Sequence, residues 1–207
     1  SEPSIVSDFV EVTLRQLPIA LGCTMLLAFL LVGCSYFAVL LPAKLFLTVA
    51  MPIVWAYGAA VLVYQDGIAD GLHVEALRKS SGLLWSIPVC TCTLLCGLGL
   101  DYDIFVFSRI WELRSEGYGN LDAIRLGLAS TAGTITSAGL IFVLEFSGAL
   151  LSSIPANNQM GAVIAITVMI DISIVESCFV PALLSLGADL NWWPVKMPTT
   201  SRSCCPL

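Results

Sequence analysis

Charge is what this sequence has least of. Only 12% of its 207 residues are Asp, Glu, Lys or Arg, against about 25% in an average soluble domain. Basic residues are the scarcer kind. Nine Lys and Arg stand against fifteen Asp and Glu, for a net charge of −6, so the positive footprint of a nucleic-acid-binding protein is missing. Histidine occurs once, at His73. Cysteine is not scarce, but it lacks the spacing of a disulfide or zinc framework. Cys23, Cys34, Cys90, Cys92, Cys96 and Cys178 fall inside apolar stretches, where a thiol behaves as a small hydrophobe. Cys90, Cys92 and Cys96 do not have the paired spacing of a zinc site. No metal and no cofactor is implied. Cys204 and Cys205 sit in a formal prenylation box whose proline counts against modification. The tail is therefore read as unmodified.

What the chain has instead is apolar length. The AVILMFWYC residues make up 57% of it, against about 45–50% in soluble proteins. Uncharged runs cover residues 16–43, 45–65, 80–100, 126–144 and 146–170. A membrane-spanning helix needs about 20 such residues. The reading is an all-α polytopic membrane protein with five spans, at about 18–41, 45–64, 83–107, 130–151 and 160–186. Residues 1–16 form an extracytoplasmic lead-in, 17–188 the transmembrane domain and 189–207 a cytoplasmic tail. Asn120 is expected to cap a short interfacial helix with Leu121, Ile124 and Leu128 on one face. With no initiator Met and no signal peptide, the chain reads as the C-terminal portion of a longer protein.

Lys and Arg favour the cytoplasmic side. Alternation over five spans places Lys44, Arg109, Arg114, Arg125, Lys196 and Arg202 on one side, and Arg15, Arg78 and Lys79 on the other. The expected orientation has the N-terminus outside and the C-terminus in the cytoplasm. The Trp192-Trp193 pair is expected at the cytoplasmic interface, where indoles prefer to sit.

Acids at membrane depth carry the chemistry. They are Asp101 and Asp103 in the third span, Glu145 in the fourth, and Asp171 and Glu176 in the fifth. A carboxylate at the bilayer centre costs at least about 2.5–3.5 kcal/mol, and an uncompensated one in low dielectric takes up a proton in preference to staying charged. Such a group can cycle between neutral and charged, as proton-coupled transport requires. Asp101 is the leading candidate, with Tyr102 beside it and Gly97 and Gly99 clearing room for another helix. Asp103 lies about 200° round from Asp101 on an α-helix, and is expected nearer water and less important. Asp171 and Glu176, about 140° apart on an α-helix, are expected on different faces. The fourth span opens with small residues from Ala129 to Gly139, including Gly133 and the hydroxyls of Thr134 and Ser137. They suit tight helix packing and relay support. Glu145 faces either a cavity or the interface.

These residues also form a pattern. Gly97-Leu98-Gly99-Leu100-Asp101-Tyr102-Asp103-Ile104-Phe105 resembles the Asp-Tyr signature of MmpL-type transporters in the RND superfamily. Tyr57-Gly58-Ala59, Ala123-Ile124-Arg125-Leu126-Gly127-Leu128, Ile135-Thr136-Ser137-Ala138-Gly139, Val180-Pro181-Ala182-Leu183 and Asn191-Trp192-Trp193-Pro194 are similar to neighbouring segments of that family. The resemblance implies five helices of one RND-type six-helix repeat. It also implies partnership with a missing first repeat and porter domains, and proton-driven export of lipid or other hydrophobic substrates from a cell membrane. The implied relay is Asp101-Tyr102. The chain departs from the family at Glu176, where Arg is usual, and at Glu145, where an apolar residue is usual. Patched-like sterol-sensing regulators share the superfamily and are the alternative. An intramembrane aspartyl protease is the remote one, needing Asp101 and Asp171 face to face.

Overall fold

A computed structural model of the chain describes residues 2–72, 77–80, 82–187 and 191–194. Five long helical rods dominate it. They are α1 (Glu2–Tyr36), α2 (Leu40–Tyr64), α3 (Ser86–Ser115), α4 (Asn120–Gly148) and a rod made of α5 (Pro155–Ile170), a π-helical segment (Asp171–Phe179) and α6 (Val180–Gly187). Short 3-10 turns at Ile68–Leu72 and Ala149–Leu151 complete the order. Among the described residues there is no strand, only an isolated bridge between Ala38 and Pro194.

Each rod contains a stretch long and apolar enough to cross a bilayer, and these stretches measure 25 to 33 residues. Only 6% of the most apolar part of the first is buried, against 56% of the last. The α5–α6 rod is therefore the spine. It packs on α2, α3 and α4, and α1 lies on α2 and α3 at the margin. So much exposed apolar surface is unstable in water and is satisfied by lipid or by further helices.

Glycine sets the closest approaches. A Cβ on Gly127 would stand 2.6 Å from Ile110 Cγ1, and one on Gly139 would stand 2.6 Å from Ile172 Cγ2. At Gly161 it would meet the backbone oxygen of Phe146 at 2.5 Å. These three contacts let α4 press against both α3 and the spine.

The two ends of the bundle are tied differently. At one end Lys44 Nζ donates to Leu183 O at 2.6 Å and to Asn191 Oδ1 at 2.5 Å, and Asn191 Nδ2 donates to Leu184 O at 2.7 Å. The last carbonyls of a helix lack intrahelical partners, and here a lysine and an asparagine supply them. Val39 N donates to Trp193 O at 3.1 Å. At the other end Gln159 Nε2 donates to Gly82 O at 3.1 Å, and Leu84 N donates to Gln159 Oε1 at 3.0 Å. The turn between α1 and α2 thus shares an end with residues 191–194, and the segment before α3 shares the opposite end with the start of α5.

Several local expectations are corrected. Asn120 is not the cap: Gly119, in extended geometry, precedes the helix and accepts from Ala123 N at 2.8 Å. The interfacial segment is no separate helix but the first turns of α4. Ile124 is buried while Leu121 is exposed, so the three residues do not form one evenly exposed apolar stripe. Lys44 lies within α2, and Arg109 and Arg114 within α3. Trp192 is fully buried against Trp111, with ring centroids 5.3 Å apart, whereas Trp193 is exposed. Most of the expected tail, with Cys204 and Cys205, lies outside the described residues, as does His73.

Candidate functional site

The third helix divides its three polar residues between two faces. At about 100° per residue, Asp101 falls on an exposed stripe with Gly97, Phe105 and Ser108, while Tyr102 and Asp103 turn inward. Asp101 lies at the midpoint of the 30-residue α3, and Asp171 at the midpoint of the 33-residue spine. Gly97 has no atom within 4 Å of a built Cβ, so the stripe around Asp101 is open to a further helix. Gly99 instead rests on Val49 at 3.4 Å. Asp101 is exposed and Asp171 is buried, so the two do not face one another as a protease dyad must.

The inward face holds more than the sequence predicts. Asp103 is 3% exposed and therefore does not sit in water as expected. Its Oδ2 is hydrogen-bonded to Thr48 Oγ1 of α2. The same hydroxyl reaches Leu45 O at 2.9 Å. A hydroxyl carries one hydrogen. A charged Asp103 must share that hydrogen with Leu45 O in a three-centre arrangement, and both bonds reach full strength only when Asp103 is protonated and donates to Thr48. Thr48 thus reports the proton on Asp103.

The π-helical segment brings the other two acids in. Its bonds run from residue i to i+5; Val180 N–H donates to Val175 O, and Ser177 Oγ donates to Ile172 O. Residues five apart then lie one turn above each other. Asp171 and Glu176 are consequently both buried and within electrostatic range of each other, not on separate faces. Tyr102 and Asp103 lie within range of both. The five-residue spacing of the acids was the available signal, and α-helical geometry was the wrong ruler for it. Among the described residues no Lys or Arg forms an ion pair with any of the three acids. Nor is there a group of three or more His, Cys, Asp or Glu side chains placed to hold a metal ion. Tyr102 Oη and Asp103 Oδ1 are buried without a hydrogen-bond partner.

Other expected residues lie apart. Thr134, Ser137 and Glu145 are exposed on α4, and Ser137 Oγ donates to Thr134 O at 3.0 Å. They do not approach the buried acids. Gly133 faces open space, whereas Gly139 packs on Ile172 and Val168. Thr131 is the hydroxyl that α4 buries, and Thr136 is exposed at the edge of the same cavity. Both line a cavity of about 300 Å³, together with Val106, Ile135, Ile172 and Glu176.

The MMPL family model matches residues 2–203. MmpL11 of Mycobacterium tuberculosis, named a heme uptake protein, is 31% identical over 190 residues, which is 92% of this chain and 19% of that protein. MmpL11 of Mycolicibacterium smegmatis, named a mycolic acid-containing lipids exporter, is 30% identical over 190 residues, 92% of this chain and 20% of its own length. MmpL12 of Mycobacterium tuberculosis, named a probable transport protein, is 32% identical over 148 residues, 70% of this chain and 12% of its own. The chain spans about a fifth of the length of the MmpL11 relatives. With its membrane-length rods and a match over nearly its whole length, this chain belongs to the MMPL family of multi-pass integral membrane proteins.

Proposed function

We propose that this chain is part of a transporter that moves lipid or similarly hydrophobic substrates across a cell membrane at the expense of the proton gradient. Asp101 and Tyr102 form its proton relay. One observation carries the reading: carboxyl groups stand at the midpoints of two bilayer-length rods with no ion pair among the described residues. An ionisable group kept at such depth is functional by default. The names of the relatives, a lipid exporter and a heme uptake protein, agree on large hydrophobic cargo and differ on direction. The open stripe at Gly97 and Asp101 is where a helix of a first repeat docks, carrying the acid that completes the relay. Extracytoplasmic porter domains of the longer protein select the cargo. Residues 1–16 lead in from outside, 17–188 span, and 189–207 are cytoplasmic.

The test uses the full-length protein in proteoliposomes with an imposed proton gradient. Asp101→Asn keeps the shape of the side chain and cannot cycle a proton, so transport should fall at least about a hundredfold while insertion is unchanged. Transport at the wild-type rate by this variant overturns the relay. Activity that survives an uncoupler favours a sterol-sensing regulator instead.

A further inference from the structure

Three buried acids, one unpartnered phenol and a cavity lined with hydroxyls meet on the buried side of α3, where Tyr102 also lies within electrostatic range of the exposed Asp101. We propose that the cavity between α3, α4 and the π-helical segment is a proton inlet. Glu176 is the acid that loads there, serving a second proton site formed by Asp103, Asp171 and Tyr102 within this chain. The inference rests on the proton-driven reading above but not on Asp101.

The geometry supports each part. At about 30 Å³ per water molecule, a cavity of about 300 Å³ has room for a short chain of waters. Thr131, Thr136 and Ser177 supply polar lining, and the mouth lies at Ala129, Ala132 and Thr136, which are exposed on α4. Glu176 is the acid among the lining residues. Behind it, within electrostatic range, stand Tyr102 and Asp103 from α3 and Asp171 from its own rod, and Tyr102 also lies within range of Asp101. Among the described residues, α2 contributes only the Thr48 hydroxyl to this cluster and α4 only hydroxyls. No cation faces it.

Like charges this close and this dry do not all ionise together. The loading step is simple. A hydronium in the cavity gives one proton to a Glu176 oxygen, and the O–H bond broken on the water is replaced by one on the carboxyl. Unloading reverses it. The hydroxyl of Tyr102, buried and unpartnered in this arrangement, is the donor free to turn to whichever acid is charged. The π-helical segment places Glu176 for this role, because α-helical spacing would carry it off the face of Asp171.

Infrared difference spectra of the full-length protein, taken between acidic and alkaline buffer, test the inference without relying on transport. Glu176→Gln should lose one protonated-carboxyl band that Asp101→Asn retains. Should Glu176→Gln fail to fold, Thr136→Trp fills the cavity and leaves every acid in place. After a pH jump that band should then appear severalfold more slowly. A full set of bands in Glu176→Gln, or an unaltered rate in Thr136→Trp, overturns the inlet. Normal transport by Asp101→Asn would remove the relay of the previous section and leave this band to be judged alone.

Discussion

Thr48 limits what Asp103 can do. Its one hydrogen is shared between Leu45 O and a charged Asp103, so removing it harms the charged acid more than the neutral one. Thr48→Val should lower the thermal midpoint of the purified protein, by about 1–3 kcal/mol of lost stability in alkaline buffer. The loss should be smaller in acid, where Asp103 holds its own proton. Equal losses in the two buffers would mean that Asp103 does not change state. Tyr102 is the opposite case. Its hydroxyl is buried without a partner, so Tyr102→Phe breaks no hydrogen bond. Thermal stability should hold or rise while, on the proposed relay, proton-coupled transport falls. The mid-helix position of Asp101 was legible in the sequence because an acid amid uncharged residues stands out. The burial of Asp103 was not, because it depends on α2 lying against α3, and nothing within α3 itself announces that.

Among the elements, hydrophobic length fixed the five rods and their order, since each uncharged run has one way to satisfy its backbone in lipid. Their ends were harder to read. A polar Asn120 looked like a cap, but Gly119 adopts the extended conformation that a cap needs, and the helix starts after it. The π-helical segment was out of reach because Asp171, Ile172, Ser173, Ile174, Val175 and Glu176 read equally well as plain α-helix. The glycines also sort by element. Gly161→Ala forces a methyl against the Phe146 carbonyl, and backbone cannot turn aside, so it should destabilise the bundle by about 1–3 kcal/mol. Gly133→Ala meets nothing within 4 Å, and should leave the thermal stability of these five rods unaltered. If Gly133→Ala still abolishes the proposed transport in the full-length protein, the face of α4 that it occupies is in contact with the rest of that protein.

For the whole molecule, alternation of the rods puts Asp66 and Lys79 at one end and Glu116 at the other. In the topology proposed above, the six-to-three Lys and Arg asymmetry assigns the second end to the cytoplasm. In whole cells, Asp66→Cys should react with an impermeant maleimide, and Glu116→Cys should react only after the membrane is opened. The reverse pattern would invert the topology. The end that carries Lys44 also has a consequence for biosynthesis. Its closing pieces, Asn191, Trp192 and Trp193, follow all five helices in chain order, yet they bind Lys44 at the start of α2, Trp111 of α3 and the Val39 amide between the first two helices. The floor of the bundle therefore cannot be sealed as the helices enter the membrane one by one. It closes only once the last of them is in place. Until then the Val39 amide and the Lys44 ammonium wait without these partners.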